Sequence, residues 1–175
     1  MATQTISFRK PVALGILTAL LCGVAGAALA GTDTANLAVS ATVAANCTIS
    51  AGTGISFGSY DPIVTNASTA LDGTGTITTT CTNGASAKVI LGQGSNADTG
   101  STDAAPLRRM TDGTDMLSYQ LYTDSGHTTV WDNSTGVDVT GTGTASDTTV
   151  YGEVAGGQNV GTGTYTDTVV ATVTF

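Results

Sequence analysis

Apolar residues recur at every second position in several short runs of this chain. Leu37, Val39, Ala41 and Val43 alternate with Ala38, Ser40, Thr42 and Ala44. Leu117, Tyr119 and Leu121 follow the same period, as do Val169, Ala171, Val173 and Phe175. A period of two is that of a strand with one buried face. Further runs at 47–50, 54–60, 75–82, 88–92, 128–131 and 149–154 read as strands, with a shorter one at 137–139. The dipeptides Asp72-Gly73, Asn83-Gly84 and Asp112-Gly113 read as turns, since their residues tolerate positive φ. Residues 93–105 are polar and read as a surface loop. Strands spaced by roughly 8–15 residues predict an antiparallel sandwich or barrel.

The first thirty residues break this pattern. Arg9 and Lys10 precede an uncharged, mostly apolar stretch at 12–29 that ends in Ala28-Leu29-Ala30. That order reads as a secretory signal peptide over 1–30, cleaved between Ala30 and Gly31. The alternative is an uncleaved anchor, because the stretch is just long enough to span a membrane. Residues 31–175 then make one domain with a sizeable core. Loss of Arg9 and Lys10 takes the formal charge from −8 to −10 and leaves Lys88, Arg108 and Arg109 as the basic side chains. Phosphate recognition needs clustered Lys and Arg, so nucleic acid is excluded as a partner.

The chain has three cysteines, and Cys22 lies in the expected leader. An exported chain with one remaining pair, Cys47 and Cys81, most simply carries one disulfide. It would close a loop of about 34 residues, worth about 4 kcal/mol in the chain-entropy account. There is no CxxC, and His127 is the single histidine, so neither a metal site nor a cofactor is expected. Asp98, Asp103, Asp112 and Asp115 lack the spacing of a calcium loop. No G-x-S-x-G elbow accompanies His127, which reads as an exposed loop residue, and no catalytic residue is assigned. Arg108 and Arg109 read as solvated or weakly paired, and Trp131 as core.

Two features point to assembly. An alternating apolar segment lies between the leader and Cys47, and a strand runs to the last residue. An edge strand exposes unpaired N–H and C=O groups that natural proteins normally cover. The segment before Cys47 has the length and pattern to cover such an edge. Within one chain, the same residues would read as the first and last strands of a closed sandwich.

The order of short motifs resembles one family. They are Ala45-Asn46-Cys47-Thr48-Ile49, Ile55-Ser56-Phe57-Gly58-Ser59-Tyr60-Asp61-Pro62, Thr80-Cys81-Thr82-Asn83-Gly84 and Leu117-Ser118-Tyr119-Gln120-Leu121-Tyr122. Thr129-Val130-Trp131, Val150-Tyr151-Gly152-Glu153-Val154 and the run from Gly163 to Phe175 complete the set. Together they resemble the spore coat protein U domain family, which includes the archaic chaperone–usher pilins. The resemblance implies an all-β, incomplete immunoglobulin-like sandwich over 46–175, completed by a donor strand from a neighbouring subunit. It implies a donor extension at 31–45 presenting Leu37, Val39, Ala41 and Val43, and an acceptor groove beside Val169, Ala171, Val173 and Phe175. The implied partners are other pilin subunits, a periplasmic chaperone and an outer-membrane usher. The implied place is a cell-surface pilus reached through the periplasm, and the implied role is adhesion and biofilm formation. A minor or adaptor pilin or a coat protein of the same fold is the alternative within the family. A monomeric secreted carbohydrate-binding module is the alternative of another class, and an enzyme is not expected.

Overall fold

The computed structural model describes residues 30–175, so the expected leader, apart from Ala30, lies outside the described residues. The chain divides into two units, Met1–Ser40 and Ala41–Phe175. In the first, the described residues form no strand and are exposed; Leu37 and Val39 are each 87% exposed.

The second unit is all-β. Its strands are β1 (Cys47–Ala51), β2 (Leu71–Cys81), β3 (Ser86–Leu91), β4 (Arg108–Thr111), β5 (Met116–Tyr122), β6 (Val137–Thr140), β7 (Ala145–Val154) and β8 (Ala171–Thr174). They form two antiparallel sheets with strand orders β1-β2-β7-β5-β4 and β6-β3-β8. The faces follow the predicted alternation. Ile77, Leu117, Tyr119, Leu121, Val150 and Val154 of the larger sheet meet Val89 and Leu91 of the smaller one. Val169, Ala171 and Val173 pack partly buried against this core. A second cluster gathers Cys47, Cys81, Ala85 and Ala87, and Val173 touches both clusters. The Cys47–Cys81 disulfide is present and ties β1 to β2, where the two cysteines are register partners.

Several expectations need correction. Asp72-Gly73 is not a turn; it lies within β2, opposite Glu153 and Gly152. A Cβ on Gly73 would sit 3.0 Å from both Ile55 and Phe57, and one on Gly152 would sit 2.9 Å from Phe57. These glycines are flat places on which another segment lies, one of the two meanings of glycine inside a strand. That segment, 54–60, is not a strand either. Ile55, Phe57 and Tyr60 do turn inward, but 52–60 forms no ladder beyond the Gly52 and Thr53 contacts to Thr76. Residues 128–131 make one bridge, Tyr122 to Val130, instead of a strand. Strand β4 carries no apolar alternation that would mark it, since two arginines head it.

Arg108 is the largest departure. It is buried, not solvated, at 1% exposure. Its guanidinium donates to the carbonyls of Gly92 (2.9 Å), Leu91 (3.1 Å) and Trp131 (2.8 Å) and to Gln120 Oε1 (2.6 Å). Burial lowers its pKa to about 10, with Tyr119, Asp132 and Asp167 pulling it back up, so it stays charged at neutral pH. Trp131 is fully buried, as expected, and donates its indole N–H to Val89 O at 3.0 Å. Arg109 pairs with Asp98 at 2.9 Å and donates to the carbonyls of Asn96 and Ala97.

Candidate functional site

Of the four edge strands, β1 of the larger sheet and β8 of the smaller one border the same opening. β1 is bonded to β2 on one side, and among the described residues no strand pairs its other side. β8 is bonded to β3 and likewise has no strand on its outer side. Between them runs a groove of about 410 Å³. Its floor is Ile77, Leu91, Tyr119, Leu121 and Val150; Ile55 and Phe57 form one wall, Val169 and Ala171 the other. It continues into a recess of about 690 Å³ that shares Ile55, Phe57, Met110 and Tyr165 and extends to Tyr60, Leu71 and Val160.

The wall beside β8 is held by hydrogen bonds on its far side. Gly92 N–H donates to Val170 O at 2.9 Å and Ser95 N–H to Thr168 O at 3.1 Å. In an extended chain the main-chain groups of successive residues point to opposite sides. With the even-numbered residues spent on β3 and the loop after it, the N–H and C=O groups of Val169, Ala171 and Val173 point to the open edge. The same three residues turn their side chains toward the core. A strand laid along this edge would therefore meet unpaired backbone and an apolar floor together.

The Tyr119 phenol and the Asp167 carboxylate, which border the groove, are already paired. Tyr119 Oη donates to Asp167 Oδ2 at 2.7 Å; Asp167 Oδ1 also accepts from Ser95 N (2.9 Å), Asn96 N (3.2 Å) and Asn96 Nδ2 (3.1 Å). Burial and then the Asp167 hydrogen bond push the Tyr119 phenol well above its ordinary pKa, so it remains a neutral donor. This arrangement suits binding an apolar strand.

Of the predicted acceptor residues, Val169 and Ala171 line the groove, Val173 packs where the two core clusters meet, and Phe175 is exposed beyond the end of β8. Val43, like Leu37 and Val39, is exposed. The aspartates weighed as calcium ligands serve separate tasks. Asp98 pairs with Arg109, Asp103 accepts from Gln93, Asp112 accepts from the Thr114 and Asp115 amides, and Asp115 accepts from the Gly161 amide. His127 is half-buried, not exposed, and lies beside Asp72 and Glu153. No motif joins those three residues in sequence; the register of β2 on β7 brings the carboxylates together. Ile55 and Phe57 were also missed as groove walls, although their alternation marked an inward face.

Comparison with known proteins places this geometry. The model of the Spore Coat Protein U domain matches residues 33–172. Protein U of Myxococcus xanthus is 45% identical over 114 residues, covering 61% of this chain and 64% of that protein. The match thus spans somewhat less than two thirds of the relative's length. Among solved structures, the fold is similar to a chain of the chaperone–tip adhesion subunit pre-assembly complex from the archaic chaperone–usher Csu pili of Acinetobacter baumannii. The TM-score is 0.56 at 18% identity, covering 77% of this chain and 40% of that one.

Proposed function

We propose a function from one premise: the chain belongs to the spore coat protein U domain family. It is a structural subunit of a chaperone–usher surface fibre, and it polymerises by lending residues 31–45 to the groove of the next copy. The observation that carries this reading is the apolar groove that runs between the open edges of β1 and β8.

The energetics support a durable junction. Leu37, Val39 and Val43 contribute roughly 1.5–3 kcal/mol each if fully buried. Ala41 contributes less and marks a shallow point. Main-chain bonds to the open edge of β8 add roughly 0.5–1.5 kcal/mol each and fix the register. This is β-strand addition, with backbone bonds giving affinity and alternate side chains giving specificity. The contact is head-to-tail and does not close on itself, so it builds a filament. Before assembly, a periplasmic chaperone occupies the groove, and an outer-membrane usher exchanges it for the next subunit's extension after the leader is cleaved at Ala30–Gly31. The fibre serves surface attachment and biofilm formation. The family's description favours a second reading that uses the same groove: a subunit of a cell or spore coat.

The test is co-expression with the chaperone and usher, followed by electron microscopy. Val39→Asp is expected to leave a folded, chaperone-bound subunit and to abolish fibres, because a carboxylate cannot be buried unpaired in an apolar groove. Deletion of 36–43 is expected to do the same. Normal fibres from either variant would refute the donor assignment.

A further inference from the structure

A second constellation lies on the opposite face of the larger sheet. Asp72 and Glu153 are register partners across β2 and β7. Their neighbours in β7, Gly152 and Val154, are buried on the core side, so the two carboxylates stand together on the outer face. Like charges directly opposite one another in a sheet are destabilising. The three basic side chains of 31–175 do not relieve this pair: Lys88 is bonded to Asp138, Arg109 to Asp98, and Arg108 is consumed inside the core. What faces the pair is His127, whose Nδ1 lies 3.3 Å from Glu153 Oε2 and 3.9 Å from Asp72 Oδ1.

The imidazole is held in place. His127 has φ of 53°, a left-handed conformation uncommon for a residue other than glycine. Asp124 fixes it: the Asp124 carboxylate accepts from the amides of Gly126 (3.0 Å), Thr128 (3.2 Å) and Thr129 (2.8 Å), and its carbonyl accepts from His127 N–H (3.1 Å). The Tyr122 ring lies 4.9 Å from the imidazole. One donor atom from each of Asp72, His127 and Glu153 falls within 4.8 Å of the other two.

We propose that Asp72, His127 and Glu153 form a binding site for a divalent transition-metal ion of the zinc class. Zinc takes imidazole nitrogen and carboxylate oxygen at about 2.0–2.2 Å, which places neighbouring donors of a tetrahedron about 3.3–3.6 Å apart. The His127–Glu153 separation already meets that. Asp72 reaches it by a small movement of a side chain that is 67% exposed. One imidazole with two carboxylates fits zinc better than calcium or magnesium, which take oxygen ligands. The ion supplies the positive charge that the carboxylate pair lacks. Three protein ligands leave a fourth position open to water or to a donor from another molecule. This site is on the sheet face away from the groove, so it stands or falls independently of the donor-strand reading.

The test is calorimetric titration of the tag-free exported chain, stripped with chelator, with Zn²⁺ alone, together with Co²⁺ absorption spectroscopy. The expected result is one saturable site per chain, with visible Co²⁺ bands of a nitrogen–oxygen set, weakened at least tenfold by Asp72→Asn and by His127→Gly. The glycine variant removes the ligand while accepting the left-handed backbone, so its loop remains folded. Absence of binding at millimolar Zn²⁺ would overturn the proposal. Binding unchanged by His127→Gly would overturn it as well.

Discussion

Replacing Arg108 by Met tests the account of the core most directly. The substitution keeps the length of the stem and removes the donors that hold the carbonyls of Leu91, Gly92 and Trp131 and the Gln120 side chain. Gln120 has other partners: its amide donates to Pro106 O, and its Oε1 also accepts from Leu121 N–H. The Trp131 and Leu91 carbonyls meet the guanidinium in the buried interior and lose that partner. A buried acceptor left unpaired costs about 1–3 kcal/mol, and the losses overlap, so the expected destabilisation is about 3–5 kcal/mol. Arg108→Lys retains the charge but replaces a planar fork by a point donor, so it should fall between Met and the parent. Trp131 is the lone tryptophan and is fully buried, so its fluorescence reports unfolding in urea at the place of the change. If Arg108→Met unfolds within 1 kcal/mol of the parent, with Trp131 fluorescence unchanged in the folded state, the guanidinium does not hold these elements together.

Three further outcomes follow from particular contacts. A side chain on Gly75 would start 2.7 Å from Ile55 Cγ1 and from the Thr53 carbonyl, so Gly75→Val should lift 53–57 off the sheet and cost about 1–3 kcal/mol, read from urea midpoints. The Cys47–Cys81 bridge closes a separation of 34 residues, so Cys47→Ala/Cys81→Ala should lose about 4 kcal/mol, and reductant should shift the parent but not the variant. Burial raises the Asp132 carboxyl, but hydrogen bonds from Ser134, Thr135 and Gly136 outweigh it and hold its pKa below the ordinary 3.8. A depressed folded pKa stabilises above the unfolded value and is lost as pH falls through the folded one. Asp132→Asn should therefore be less stable than the parent at pH 7, with the gap closing below about pH 3.8 in urea titrations.

The faces of the strands were legible because one face is buried and one is not. Leu117, Tyr119 and Leu121 are buried where their alternation put them, and so, half-buried, are Val169, Ala171 and Val173. What the alternation does not encode is which backbone has a neighbour. Residues 54–60 carry the strand period because Ile55 and Phe57 must point inward, yet no ladder forms there. Gly73 and Gly152 look like breaks in sequence and serve in space as the bed for those side chains. Arg108 was unreadable for a different reason. Nothing in a charged dipeptide says that one guanidinium will find three carbonyls in the interior while its neighbour pairs with Asp98 at the surface. Asp72, His127 and Glu153 are far apart in sequence and meet through register alone.

The groove itself follows from those two kinds of residue. Because Gly73, Gly75 and Gly152 carry no Cβ, Ile55 and Phe57 lie low on the larger sheet instead of standing above it. Because Arg108 draws Leu91, Gly92 and Trp131 together at the end of β3, the chain that pairs with β3 is anchored at Val170 and Thr168, with its other edge free. One wall is thereby lowered and the opposite wall is fixed with its backbone facing outward. Under the proposed function, a sandwich with both walls so arranged gains its last increment of burial from a strand of another copy. Under the proposed function, folding and polymerisation thus draw on the same apolar floor. A substitution that pushes Ile55 off the sheet, such as Gly75→Val, would then displace a groove wall and weaken assembly together with the fold.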